Sequence, residues 1–315
     1  MVAVTDSLYP VGGVERSFNR LLRHFDRSVI SAKVVVLGHH HQLEQELPPA
    51  LPLLHMEKDH VREALFPLRR LIRAERPDVL YSAKTHVNAV AVAANLLSRH
   101  SSSAVPSERL HLPAHVANQS PFQRWKWYGT LLAAGSLYRA GADKVVFVSQ
   151  GALDGGSPLL RLPRDKATVI YNPIVDQELL DAAKAPVDHP WFAAERDRPV
   201  ILGVGRLTKQ KGFAYLLRAF SRLRRGLPSR LVLVGDGEQR ERLSQLVEQL
   251  GVGDDVALLG FRDNPCKFMA RCDVFVLPSL WEGFGVVLVE AMACGAPVVA
   301  TRCPSGPEEV VTDGI

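Results

Sequence analysis

The stretch "DVFVLPSLWEGFGVVLVEAMACGAPVVAT", residues 273–301, decides how the chain folds. It opens with the β-branched and aromatic run "VFVLPS" and passes through a turn containing Gly283 and Gly285. It then continues as the apolar helix pattern "GVVLVEAMACG" and ends in a second short apolar run, "PVVAT". Strand, helix and strand in this order make a βαβ unit, which places the two strands parallel in one sheet. Two carboxylates interrupt the apolar run: Glu282 in the turn and Glu290 inside the helix. An unpaired buried carboxylate costs free energy on the scale of a whole domain's stability, so Glu290 is expected to meet a polar partner.

The same alternation runs through the rest of the chain. Strand candidates in the first half are "VAV", "AKVVVLG", "DVLYSA", "RLHLPAHV" and "KVVFVS"; in the second half they are "PVILGVG", "RLVLVGDG", "VALLG", "VFVLPS" and "PVVAT". Between them lie amphipathic helices. "VERSFNRLLRHF" sets Val14, Phe18, Leu21, Leu22 and Phe25 on one face, and "FAYLLRAFSRLRR" is read with Tyr215, Leu216, Ala219, Phe220 and Leu223 inward. The fold expected is α/β, with two Rossmann-like doubly wound parallel-sheet domains facing a cleft, where strand carboxyl ends gather ligands. The Pro-, Asp- and Ala-rich segment after residue 182 has no strand pattern. It divides the chain into a first domain, 1–182, a linker, 183–199, and a second domain, 200–315.

Composition bounds the function. The 315 residues suit two domains, and 47% hydrophobic with 23% charged residues is a globular balance. A net charge of +5 and an isoelectric point near 9.1 suit phosphate-bearing small molecules or an anionic membrane surface; nothing points to nucleic acid. The four cysteines form no CxxC pair, which reads as reduced structural thiols in a cytoplasmic protein. No apolar run reaches the roughly 18 residues of a spanning helix, and no signal-peptide pattern opens the chain. The glycosylation triplet at Asn118 is read as chance. His39, His40 and His41 read as a solvated loop rather than a metal site.

Four constellations carry chemistry. In "YPVGGVERSF", Gly12 and Gly13 precede a helix whose free amides suit a phosphate, or merely start the helix. In "GVGRLTKQKGF", Arg206 and Lys211 follow a buried strand; they neutralise a diphosphate or stand as solvated loop cations. The third glycine of a dinucleotide signature would fall at Thr208, and no P-loop pattern occurs. "VLVGDGEQRERL" and "LLGFRDN" end the next strands, with Gly235 and Gly237 allowing close backbone approach and Gly260 and Phe261 placed to border a base. In the opening stretch, Glu282 and Glu290 accept from vicinal hydroxyls, or else cap a helix and pair with a buried arginine.

Taken together, "GGVERS", "GRLTKQKGF", "LVGDGEQRERL", "LGF", the opening stretch and "CPSGPEEV" closely resemble the retaining GT-B glycosyltransferases of family four. The resemblance is most specific over residues 200–310 and looser in the first half. It implies that a nucleotide-diphosphate sugar, with a UDP-sugar favoured, binds mainly to the second domain. Arg206 and Lys211 hold the diphosphate with the amides after Gly12 and Gly13. Glu290 takes the ribose hydroxyls, while Glu282 and the amides of Gly283, Phe284 and Gly285 take the donor sugar. It further implies metal-free transfer with retention, without a cofactor, to a glycan or polyprenyl-linked acceptor in surface-polysaccharide or glycolipid assembly. His115 is the best match to the histidine such enzymes place near the donor sugar, with His86 as the alternative. The alternatives are a GDP-mannose-dependent mannosyltransferase and an inactive nucleotide-sugar-binding or scaffold protein. The sequence ends at "VTDGI", short of the family's closing segments, which reads as a truncated open reading frame.

On the acceptor side, Trp125, Trp127 and Tyr128 alternate with Arg124 and Lys126, and "VREALFPLRRLIRAER" adds Arg62, Arg69, Arg70, Arg73 and Arg76. Rings beside cations suit the cytoplasmic face of a membrane, with the protein peripheral; rings packed on the sheet are the other reading.

Overall fold

The computed structural model describes residues 1–8, 13–39, 44, 47–100 and 102–312. Gly12, His40 and His41 lie outside these. His39 holds Asp59 Oδ1 at 3.1 Å from its Nε2. The chain forms two compact units, 1–173 and 174–315.

The first unit contains β1 (Val2–Thr5), α1 (Gly13–Arg23), β2 (Lys33–Val36), β3 (Leu53–His55), α2 (Leu65–Glu75), β4 (Val79–Ala83), α3 (Thr85–Ser98), β5 (Ser103–Glu108), α4 (Leu112–Ala117), α5 (Pro121–Gly141), β6 (Val145–Phe147), α6 (Gln150–Leu160) and β7 (Ala167–Val169). Its seven strands are all parallel in the order β3-β2-β1-β4-β5-β6-β7. Alternation along β1 divides the core. Val2 and Val4 pack with Leu68 and Ile72 of α2 and Val87 and Ala91 of α3. Ala3 packs on the other face with Phe18 and Leu22 of α1.

The second unit contains α7 (Gln177–Lys184), β8 (Val200–Val204), α8 (Phe213–Leu223), β9 (Arg230–Val234), α9 (Arg240–Gln249), β10 (Val256–Gly260), α10 (Cys266–Met269), β11 (Val274–Leu277), α11 (Val286–Ala293), β12 (Val298–Ala300) and α12 (Pro307–Val310). Its five parallel strands run β10-β9-β8-β11-β12. Val200, Leu202 and Val204 pack with Phe275, Leu277, Leu288 and Ala291 on one face. Leu231 and Leu233 meet α8 and α9 on the other.

The structure departs from the sequence reading in several places, among them β3 and β7, which match none of the strand candidates. "RLHLPAHV" is not a strand: His111 caps α4 by accepting from Ala114 N, and Pro113 sits in the first helical turn, where its missing N–H costs nothing. The strand lies earlier, at 103–108, through Pro106. On α8 the inward face is Phe213, Leu216, Leu217 and Phe220, a stripe at i, i+3, i+4 and i+7; Tyr215, Ala219 and Leu223 are exposed. Finally, α7 begins in the span read as the first domain and ends in the span read as linker, yet its Leu179 and Ala183 are buried in the second unit's core. The four cysteines, all among the described residues, form no disulfide, and no described helix is long and apolar enough to cross a membrane.

Candidate functional site

Open parallel sheets bind ligands beyond the carboxyl ends of their strands, where strand order reverses. In the second unit that point lies between β8 and β11. The turn after β8 carries Gly205 and Arg206 and closes through a short helical turn, Lys209–Lys211, into α8. The turn after β11 leads into α11, and Leu280 N donates to Gln210 O at 2.8 Å, tying the two turns together.

Glu282 stands at their junction with its side chain 7% exposed. Its Oε1 accepts from Lys211 Nζ at 2.6 Å and from Ser279 Oγ at 2.6 Å. Gln210 Nε2 reaches Oε2 at 3.4 Å and Trp281 O at 2.9 Å. An ammonium has three donors, so this tether fixes Lys211 while leaving it capacity for a second acceptor. Arg206 is exposed, and its guanidinium makes no hydrogen bond or ion pair among the described residues. One cation is therefore held and one is free at the same edge. Nearby, burial first and the charge of Glu282 second push the Cys303 thiol up to about 11, so it stays protonated at neutral pH.

Backbone geometry clears space around these groups. Gly235 has φ +140°, and a Cβ there would lie 2.0 Å from the Gly205 carbonyl oxygen, so the turns after β8 and β9 meet only because no side chain separates them. Gly235 N also donates to Gly260 O, which brings Gly260 and the following Phe261 alongside. Gly285, at φ +87°, starts α11. Gly283 O accepts from Ser305 Oγ at 2.9 Å, and Phe284 is buried. Glu290 lies on α11 with 5% exposure.

In the first unit the reversal lies between β1 and β4, and it holds a cluster the sequence reading missed. Lys84, after β4, adopts φ +78° and ψ 132°, a conformation L residues rarely hold. Its Nζ donates to Asp6 Oδ1 at 2.6 Å and Glu15 Oε1 at 2.7 Å, while His86 Nε2 lies 3.2 Å from Asp6 Oδ2. Burial would raise the Asp6 carboxyl, but the His86 hydrogen bond and the Lys84 charge outweigh it and hold it at about 2. Burial works against the Lys84 ammonium, yet Glu15 and Asp6 raise its pKa nonetheless. Behind the cluster, buried Glu108 accepts from Thr85 Oγ1 at 2.6 Å, Tyr138 OH at 2.5 Å and Asn88 Nδ2 at 3.2 Å, fixing the start of α3. Burial raises its pKa, and these bonds only partly offset that.

Of the two candidate histidines, His86 joins this cluster. His115 lies on α4, edge-on to Trp127 at 4.7 Å between ring centres, with its pKa lowered by burial. Gly13 begins α1, and its carbonyl accepts from Ser17 Oγ at 2.6 Å. Among the described residues, no three His, Cys, Asp or Glu side chains gather as a metal site.

Two family profiles cover the chain: "Glycosyltransferase Family 4" matches residues 11–178 and "Glycosyl transferases group 1" matches residues 188–315. A Campylobacter jejuni N-acetylgalactosamine-N,N'-diacetylbacillosaminyl-diphospho-undecaprenol 4-alpha-N-acetylgalactosaminyltransferase is 36% identical over 56% of this chain and 46% of its own. A GDP-mannose-dependent alpha-(1-6)-phosphatidylinositol monomannoside mannosyltransferase of Mycolicibacterium smegmatis is 39% identical over 59% of this chain and 51% of its own. The chain thus spans about half the length of these curated relatives. Among solved structures, Anabaena HepE in complex with UDP superimposes with a TM-score of 0.78 at 25% identity, covering 100% of this chain and 83% of its own. HepE was also solved with UDP-glucose, with the same score and identity.

Proposed function

The chain belongs to glycosyltransferase family 4, and we propose that it moves a hexose or N-acetylhexosamine from a UDP-sugar to a glycan or lipid-linked acceptor with retention at the anomeric carbon. The observation that carries this reading is the pairing of one tethered and one free cation, Lys211 and Arg206, at the reversal point of the second unit. The likeness to HepE, solved with UDP and with UDP-glucose, supports the donor class.

In this reading Arg206 and Lys211 take the diphosphate, the first as a fork and the second as a point charge. Glu282 fixes Lys211 and, with the amides at Gly283 to Gly285, takes the sugar; Glu290 takes the ribose hydroxyls. The glycosidic C–O bond breaks toward the diphosphate, where the cations stabilise the developing charge. The acceptor hydroxyl attacks the face the diphosphate vacates, and the leaving phosphate oxygen receives its proton. No step calls on a metal. His86 or His115 is the first-unit histidine facing the donor.

The N-terminal half of α5 supports a lipid-linked acceptor. Phe122, Trp125 and Tyr128 are exposed there, Trp125 at 79%, on a helix with Arg124 and Lys126 and no acidic residue. Such a surface suits the headgroup layer of an anionic leaflet, from which a cytoplasmic, peripheral enzyme reaches its acceptor. The Campylobacter relative, named for a diphospho-undecaprenol acceptor, supports the same class. The mannosyltransferase relative favours GDP-mannose as the second donor reading.

The test is a donor panel of UDP-glucose, UDP-N-acetylglucosamine, UDP-N-acetylgalactosamine and GDP-mannose in EDTA. The readout is nucleoside diphosphate released with and without acceptor lipid. UDP release is expected; GDP release alone replaces the donor, and no release from any donor points to a binding or scaffold protein.

A further inference from the structure

We propose that Arg109 is an anion-binding residue of the first unit, taking a phosphate or carboxylate group at the carboxyl edge of β5. Arg109 directly follows β5, on the edge where open sheets receive ligands. It is 9% exposed, so a permanent charge is held out of water.

Two other shielded cations at the carboxyl ends of strands meet carboxylates: Lys84 meets Asp6 and Glu15, and Lys211 meets Glu282. Arg109 does not. Its Nη2 donates to the Tyr81 hydroxyl at 2.5 Å, its Nη1 to Asn172 Oδ1, and its Nε is buried without a partner. No carboxylate pairs with it among the described residues. Adjacent Glu108 does not serve, because successive strand residues point to opposite faces and its oxygens accept from Thr85, Asn88 and Tyr138. Tyr81 stacks on Phe18 of α1 at 5.8 Å, so the hydroxyl that orients the guanidinium is itself fixed.

A guanidinium has five donors in a rigid fork that matches an oxyanion. Here it is aimed by neutral oxygens, keeps donors unused and lacks a counter-charge, so an incoming oxyanion supplies both. If the transferase reading holds, the oxyanion belongs to the acceptor, and an acidic or phosphorylated acceptor is preferred over a neutral one. That clause rests on the reading; the anion subsite does not.

Thermal unfolding of the whole chain, with sodium chloride, phosphate or acetate at constant ionic strength, tests the subsite without requiring turnover. Phosphate or acetate should raise Tm beyond chloride, and Arg109→Gln should remove part of that rise. Asn172→Asp seats a carboxylate against Nη1; it should raise Tm in chloride and remove the same part. It also serves where Arg109→Gln fails to fold. The difference from wild type separates this subsite from anions held by Arg206 and Lys211. A response to phosphate alone assigns a phosphoryl group, and one to acetate a carboxylate. Absence of any anion response, or an equal response in wild type and Asn172→Asp, overturns the proposal.

Discussion

At the reversal point of the first unit Lys84 donates to two carboxylates, Asp6 and Glu15; at that of the second Lys211 donates to Glu282, and the Arg206 guanidinium, on the same turn, meets no partner among the described residues. The first cluster sets Asp6 and Glu15 against Lys84 and His86 and satisfies itself. The turns of the second carry three cations, Arg206, Lys209 and Lys211, to one carboxylate, Glu282, and keep donors in reserve. Equivalent places in two doubly wound sheets have thus been finished in opposite senses, and charge balance, not topology, says which one suits a diphosphate.

Substitutions at the cations should separate the two ends most strongly. Arg206→Ala is expected to lower turnover by about 10²–10³-fold, the usual loss for one group that stabilises transition-state charge, with Tm unchanged because the side chain is exposed and unpaired. Lys211→Ala should lose as much activity and also lower Tm, since it strands Glu282. Wild-type turnover in Arg206→Ala breaks the contrast.

Lys84→Ala should act on stability instead. It leaves Asp6 and Glu15 half-buried without the ammonium, a loss of about 1–3 kcal/mol for charged hydrogen bonds broken at a partly buried site. Urea unfolding reads it, and UDP affinity should be retained. A loss of affinity with no change in unfolding would reverse the roles of the two clusters.

Acid sharpens the same point. The Asp6 carboxyl sits at about 2 when folded, against 3.8 for a free aspartate. A depressed folded value means stability present above pH 3.8 and lost as pH falls toward 2, of order 2 kcal/mol. Asp6→Asn should flatten that acid limb; an unchanged profile would show that the pair is not formed.

Trp125→Ala is likewise expected to change stability little, within about 0.5 kcal/mol for an exposed side chain. The same change should reduce sedimentation with anionic liposomes in low salt. Binding that is indifferent to Trp125 would move the membrane contact away from α5.

Sequence carried unequal amounts of this. Glycine turns and apolar strands are local signals, so β8 to β12 and the turns around Gly235 and Gly285 were legible from spacing. β5 was hidden because "SAVPSE" lacks the β-branched run that marks a strand, and "RLHLPAHV" drew the strand toward a helix. The Asp6–Lys84 pair joins residues 78 apart, and the positive φ of Lys84 falls on a residue type that gives no warning of it. Nor does sequence say which rings of α5 turn inward: Trp127 meets His115, while Trp125, two residues away on the helix, faces out.

On the proposed reading the second unit binds a nucleoside diphosphate through the exposed Arg206. Calorimetric titration of UDP into wild type and Arg206→Ala, both in EDTA, tests it most directly. Wild type should bind, and the variant should bind at least tenfold more weakly, about 1.4 kcal/mol, with its melting temperature preserved. Equal affinity in the two proteins, or no UDP binding by wild type, would contradict the claim.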